Sequence, residues 1–174
     1  MNIIVCTLLP IIFMFHEFEE ILFLKYWLKK DKEYLNNKFP KTGSKIYLQY
    51  NKFTTAGFVL AVAEEFILIS ILCYSAIILD NYYIWFTVFI GFSIHIAIHI
   101  IQWMVYRKYI PTIITSTLVL PYCIYGFMMC INNGINSLFW IMISSIIGTI
   151  GVLINLQFIH YLGKRFSKWE IKNN

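Results

Sequence analysis

The sequence predicts an all-α polytopic membrane protein, a single helical domain over 1–174 with about five transmembrane helices. Of its 174 residues, 59% are hydrophobic and only 13% are charged, and the mean hydropathy is +0.68. That composition leaves too little polar surface for a water-soluble domain. Apolar stretches of about 20 residues, enough for a helix to cross roughly 30 Å of hydrocarbon, recur along the chain. We expect the spans at 2–27, 54–79, 83–106, 112–132 and 137–162.

Basic residues predict the orientation of these spans. All fourteen lysines and arginines lie at Lys25, in the segment 28–53, at Arg107 and Lys108, or in the tail after 162. By the positive-inside rule these segments are cytoplasmic, which gives an outside N-terminus and an inside C-terminus in the plasma membrane. Pro40 and Gly43 are typical of loops, so 28–53 is expected to be a cytoplasmic loop. The net charge of +5 then serves topology and contact with the lipid bilayer, not nucleic acid.

The first span carries four costly polar side chains in the run His16-Glu17-Phe18-Glu19-Glu20. At 3.6 residues per turn, His16, Glu19 and Glu20 share one face, whereas Glu17 points about 100° away. A charged side chain at the bilayer centre costs about 2.5–3.5 kcal/mol on insertion scales, so such groups usually face a cavity, a partner or an ion. The shared face therefore predicts a site, and Glu17 is expected to cap, to snorkel or to contact another helix.

Three further spans carry polar residues at similar depth. In chain order they are Glu64, Glu65, His95, His99, Asn155 and His160. Counted at 1.5 Å per residue from the cytoplasmic ends, they and the first-span motif form one layer in the inner half of the bilayer. His95 and His99, at i and i+4, face the same way, as in a metal-binding helix. Only one of Glu64 and Glu65 can face the layer's centre, and the sequence leaves open which; His160 is expected to be interfacial.

Imidazoles and carboxylates in this number are the usual ligands of zinc, or of iron and manganese where carboxylates dominate. We expect a divalent metal on a ligand set of four residues, His16, Glu20, His95 and His99. The candidates for catalytic carboxylates are Glu19, Glu20, Glu64 and Glu65, one of which would activate water as a general base. The structural alternative is a buried hydrogen-bonded network that only ties helices together.

A second group of residues accompanies the H-x-x-E-E motif formed by His16, Glu19 and Glu20. His99 is followed by Arg107, Tyr109 and Pro111 in the pattern R-x-Y-x-P, and AVAEE occupies 61–65. Together these resemble the HXXEE-domain family of small bacterial integral membrane proteins over most of the chain. The one departure is Thr112, where the family pattern has glycine. The resemblance groups the site residues and implies no particular reaction.

Arg107 and Tyr109 lie at the predicted mouth of the site, where a guanidinium binds a lipid phosphate or an acidic substrate group. The leading hypothesis is a metal-dependent intramembrane hydrolase for a lipid or another amphipathic substrate, with a di-iron oxidase as a variant. A proton- or ion-coupled transporter or channel, which a homodimer would help to complete, and a non-catalytic membrane partner protein are the alternatives.

Overall fold

The computed structural model describes residues 2–135 and 137–173, and these residues form seven α-helices and no strand. The helices are α1 (Ile3–Lys30), α2 (Lys32–Lys38), α3 (Pro40–Tyr50), α4 (Thr55–Ile78), α5 (Tyr82–Tyr106), α6 (Ile113–Asn132) and α7 (Leu138–Asn173). The all-α prediction is confirmed. Position 136, in the predicted connection before the last span, and both end positions of the predicted domain lie outside the described residues.

Four helices, α4 to α7, are long and apolar enough to cross a membrane. Each begins and ends close to a predicted span, except that α7 continues as one helix to Asn173. With 36 residues it is about 54 Å long at 1.5 Å per residue, longer than the roughly 30 Å of hydrocarbon that a spanning helix has to cross. The first predicted span is the 28-residue α1, which differs from the other four in carrying three carboxylates. The count of five crossings and the orientation of the termini stay predictions.

The segment 28–53 is not the loop that we predicted; most of it forms α2 and α3. Pro40 lies at the start of α3, where a missing N–H leaves no hydrogen bond unmade. Gly43 permits close contact between the two helices, because a Cβ there would lie 2.7 Å from the carbonyl carbon of Leu35. Lys25 of α1 donates to the carbonyl of Tyr50 at 3.1 Å, at the negative end of α3. Residues typical of loops thus serve a helix start and a tight helix contact.

The bundle surrounds α1 on several sides. This helix packs against α4, α5 and α6, while α7 packs along α4 and α5. The α5–α7 contact depends on small residues: a Cβ on Gly148 would lie 2.7 Å from the carbonyl oxygen of Thr87, and such close backbone approach is typical of membrane helices. Only 6% of the apolar stretch of α7 is buried within the protein, so most of this stretch lies on the outside of the bundle.

The basic segments meet at one end of the bundle. Lys38 of α2 donates to the carbonyl of Tyr106 at the end of α5, at 2.7 Å. Lys108 lies over the ring of Tyr34 at 3.7 Å, a cation–π contact. The α2–α3 pair therefore covers the end of the bundle at which α1 ends and α6 begins.

Candidate functional site

Three imidazoles from two helices converge in the interior. His16 of α1 is fully buried and His99 of α5 is 9% exposed, and the ring centroids of His16 lie 5.4 Å from His95 and 5.2 Å from His99. The Nε2 atoms of His95 and His99 are 3.0 Å apart. One potential ligand atom from each of the three side chains lies within 4.8 Å of the other two. The i, i+4 pair of α5 thus meets the first residue of the H-x-x-E-E motif.

Hydrogen bonds assign the tautomer of His16. The Thr115 hydroxyl on α6 lies 2.7 Å from Oε2 of Glu19 and 3.1 Å from Nδ1 of His16. A hydroxyl has one proton to donate, and the shorter contact indicates that Thr115 donates it to the carboxylate of Glu19. Nδ1 of His16 must therefore be the donor in its own contact with the Thr115 oxygen. The lone pair of this imidazole is then on Nε2, a buried atom that has no hydrogen-bond partner.

His99 is oriented in the same manner by its own helix. Its Nδ1 lies 3.0 Å from Oε1 of Gln102, an acceptor, so Nδ1 carries the proton and Nε2 carries the lone pair. His95 then donates from Nε2 to His99 across the 3.0 Å contact. Two of the three imidazoles are therefore held through Nδ1–H with the lone pair on Nε2, which has no partner in His16 and accepts from His95 in His99. An imidazole held through its second N–H in this way is the usual arrangement of metal-ligating histidines.

The residue types fit a divalent metal, and their spacing comes close to what one ion requires. Zinc binds imidazole nitrogen at about 2.0–2.1 Å, so two nitrogens on one ion lie at most about 4.2 Å apart. The His95–His99 distance meets this limit, and the widest pair in the group exceeds it by no more than about 0.6 Å. The unpartnered Nε2 of His16 also indicates a missing partner, because buried polar atoms are rarely left without one.

Glu17 also lies at this group, so of the three roles expected for it, contact with another helix is the one that the structure shows. Its side chain is 3% exposed, and its Oε1 is 3.5 Å from Nε2 of His95. The reason is the position of α1, which has neighbouring helices on several sides. A side chain that points about 100° away from His16 therefore still points toward another helix. The cost of burying a carboxylate in hydrocarbon applies to Glu17 as much as to its neighbours and could have identified it.

Glu19 faces the start of α6 instead of the imidazoles. Its oxygens accept from the Tyr109 hydroxyl at 2.8 Å, from the backbone N–H of Thr115 at 2.8 Å and from the Thr115 hydroxyl. A carboxylate that binds free N–H groups at a helix N-terminus is stabilised by the helix dipole. Glu19 thus joins α1 to α6 and, through Thr115, orients His16.

The connection between α5 and α6 carries the two predicted substrate-binding residues. Tyr109 is occupied by its hydrogen bond to Glu19; burial, and next this bond, raise the pKa of its phenol above the ordinary value. Arg107 is exposed and ends α5 in the left-handed conformation, with φ 63°. Thr112 has φ −167°, extended backbone that needs no glycine.

Two cavities lie on either side of the imidazole pair of α5. The first, which we call the lateral cavity, has a volume of about 410 Å³ between α4, α5 and α7, and its polar residues include Glu65, His95 and Asn155. The second, the roofed cavity, has a volume of about 450 Å³ beneath α2 and α3, and both Glu20 and His99 line it. His95 faces one cavity and His99 the other, so the histidine group lies between them.

The two adjacent acids of α4, Glu64 and Glu65, have different surroundings. Glu65 lines the lateral cavity beside His95, whereas Glu64 does not line it and has a buried Oε2 without a hydrogen-bond partner. His160 lies away from the group: its Nδ1 is 2.6 Å from the carbonyl of Leu156, and its ring packs on Phe53. Thr115 and Gln102 were not predicted; Gln102 could have been found as the polar residue at i+3 from His99.

The family comparison agrees with the motif. A family model described as a protein of unknown function with HXXEE motif matches residues 7–126, which include most of α1, all of α2 to α5 and most of α6. No curated protein and no solved structure matches the chain.

Proposed function

The chain belongs to the HXXEE family of proteins of unknown function, and from the geometry of its site we propose that it is a membrane-embedded, metal-dependent hydrolase for a lipid or another amphipathic substrate. The observation that supports this most is the convergence of three imidazoles, with ligand atoms within 4.8 Å of one another. Two of them, His16 and His99, are held through Nδ1 with the lone pair on Nε2. The buried Nε2 of His16 has no hydrogen-bond partner within the protein, which a purely structural network would normally supply.

In this proposal His16, His95 and His99 hold the ion, with Glu17, which lies 3.5 Å from His95, as the carboxylate that completes the set. To bind through Nε2, His95 would carry its proton on Nδ1 in place of the Nε2–H that it donates to His99 without metal. When bound, a divalent ion supplies a Lewis acid and lowers the pKa of water toward about 7. Three imidazoles with one adjoining carboxylate favour a single ion, zinc above iron or manganese, over a carboxylate-bridged di-iron pair.

The remaining carboxylates have separate roles. Glu20 lines the roofed cavity with His99, and Glu65 lines the lateral cavity with His95, so each is a candidate general base that takes a proton from the attacking water. Glu19 is a positioning residue, because its oxygens already accept from Tyr109 and Thr115. Glu64 lines neither of these cavities.

The gathering of basic residues at one end of the bundle supports the proposed orientation. Those residues belong to 28–53, to the α5–α6 connection and to the end of α7, and by the positive-inside rule that end is cytoplasmic. The proposal therefore has five crossings of the plasma membrane, an outside N-terminus and a site in the inner half of the bilayer. Substrate would enter from the inner leaflet.

Metal content tests the proposal. Detergent-purified protein, analysed by inductively coupled plasma mass spectrometry, is expected to hold close to one divalent ion per chain. His16→Ala and His99→Ala should each lose at least about nine tenths of it, a tenfold change in occupancy. His160→Ala is the matched control, since the fourth histidine lies outside the group, and it should keep the ion. Folded wild-type protein without metal contradicts the proposal, as does equal loss in the control.

A second measurement separates the two roles predicted for Glu20. If Glu20 is a general base, Glu20→Gln keeps the ion and lowers hydrolysis of an amphipathic ester by roughly 10²–10⁴-fold. If it is a ligand, the ion is lost together with the activity.

Proton or ion transport is the second candidate, and one observation favours it. Glu17, His95, His99 and Gln102 form a continuous chain with successive separations of 3.5, 3.0 and 3.0 Å, and this chain joins the lateral cavity to the roofed cavity. Such relays carry protons in membrane proteins. Proton flux in liposomes that is abolished by Glu17→Gln, from protein free of metal, would establish transport in place of hydrolysis.

A further inference from the structure

We propose that the roofed cavity binds a single-chain amphiphile with an uncharged polar headgroup, which lies at Glu20, His99 and Thr112. This inference rests on the proposed function, because it supplies the substrate class of that same site. It concerns binding, however, and can be tested without turnover.

The cavity joins the histidine group to the covering helices. Glu20 of α1 and His99 of α5 lie on its inner side, while Leu35 of α2 and Phe39 and Ile46 of the α2–α3 segment supply apolar wall. Its volume of about 450 Å³ falls within the roughly 300–1,000 Å³ of small-molecule sites. This space suits one acyl chain with a small headgroup better than a two-chain phospholipid.

A buried hydroxyl marks the place of the headgroup. Thr112 lines the cavity, its side chain is 3% exposed, and its Oγ1 has no hydrogen-bond partner. Buried polar atoms are normally paired, so this hydroxyl indicates a polar group that the protein itself does not supply.

The polarity of the lining selects an uncharged headgroup. Among the described residues that line this cavity, none is lysine or arginine, so no basic side chain would offset the desolvation of a phosphate. Thr112 and Gln102 offer hydroxyl and amide groups, and Glu20 adds carboxyl oxygens, which together match an alcohol, ester or amide.

The exposed side of α5 provides the path for the acyl chain. Ile101 and Val105 both line the cavity and are 54% and 55% exposed, so the cavity opens where apolar side chains of a membrane helix face lipid. An amphiphile can therefore enter sideways while the α2–α3 pair stays in place over its headgroup.

The test uses the full chain in detergent and a monoacylglycerol that carries a photoreactive diazirine in its acyl chain. Crosslinked peptides are expected from α3, the end of α5 and the connection that follows it. Unlabelled monoacylglycerol should displace the probe at least about tenfold more effectively than lysophosphatidate of the same chain length.

Two tryptophan variants on α3 form a matched pair. Ile46→Trp fills the cavity and should weaken probe binding by at least about tenfold. Leu48→Trp adds the same side chain to a position that is 58% exposed and should leave binding unchanged. Thr112→Val, which removes the unpartnered hydroxyl, should weaken binding of the uncharged probe by about threefold to tenfold. Circular dichroism and metal content are measured for every variant.

Several outcomes overturn the inference: crosslinks on α4 and α7, equal binding by the two tryptophan variants, or equal displacement by the phosphate ligand. If a variant fails to fold, the crosslinked peptides of the wild-type protein still show whether the probe lies in the roofed cavity. Metal-free protein that binds the probe in the roofed cavity supports this inference while contradicting the metalloenzyme. Metal-loaded protein that does not bind it there overturns this inference alone.

Discussion

Replacing Thr115 by valine tests the connection between the α6 start and the histidine group. Valine keeps the branched shape and removes the hydroxyl, which donates to Oε2 of Glu19 at 2.7 Å and accepts from Nδ1 of His16 at 3.1 Å. The carboxylate keeps its bond from the Thr115 backbone N–H, whereas the Nδ1–H of His16 is left buried without an acceptor. Both stability and metal binding are therefore expected to fall.

The magnitude follows from the two lost bonds. A hydrogen bond to a charged group contributes about 1.5–3 kcal/mol in water-soluble proteins, while bonds between membrane helices average about 0.6 and reach about 1.7 kcal/mol. Taking the membrane range for both bonds, we expect Thr115→Val to lower the free energy of unfolding by about 2 kcal/mol. The loss of His16 orientation should weaken metal affinity by about 10–100-fold.

Thr117→Val is the control on the same helix. Thr117 is exposed, and its hydroxyl donates only to the carbonyl of Ile113 within α6, at 2.8 Å. Unfolding is followed by circular dichroism in mixed micelles with chelator present, so that stability is measured apart from metal; metal affinity is then titrated separately. If Thr115→Val is no more destabilising than Thr117→Val and binds metal as tightly as wild type, the assigned role of Thr115 is wrong.

Three other changes probe the supports of the site. Gln102→Leu removes the acceptor for Nδ1 of one ligand imidazole, so titration should show a metal affinity about 10–100-fold lower in a protein with unchanged helicity. Lys25→Met removes the donor to the last carbonyls of α3, so hydrogen exchange should quicken in 40–51 while metal content stays the same; unchanged exchange would show that the contact does not hold α3. Tyr109→Phe removes a donor to Glu19 and should lower stability. The pKa of the Tyr109 phenol is raised in the folded protein, so the stability that wild type has over Tyr109→Phe should be at its full size below about pH 10, the pKa of an unfolded tyrosine. This difference should disappear only as the pH rises through the higher pKa of the folded state. A difference that already shrinks at neutral pH contradicts this.

The periodicity of apolar residues was sufficient to predict the long helices, because bilayer thickness sets their length. It was insufficient for 28–53, where Pro40 and Gly43 have a helical role that depends on a neighbouring helix. A proline is neutral in the first turn of a helix, and a glycine between two helices permits contact. Neither role can be recognised from the sequence until the neighbouring helix is known.

The sequence by itself determined that this is a helical membrane-type protein of the HXXEE family and which side chains are too costly in hydrocarbon to lack a partner. Helical spacing also predicted that His95 and His99 face one way. Only the tertiary structure decided which partner each acid takes: Glu17 with His95, Glu19 with the start of α6, Glu20 with the roofed cavity and Glu65 with the lateral one. The physical reason is that the direction of a side chain about its own helix follows from 3.6 residues per turn, whereas what lies in that direction depends on how the other helices pack.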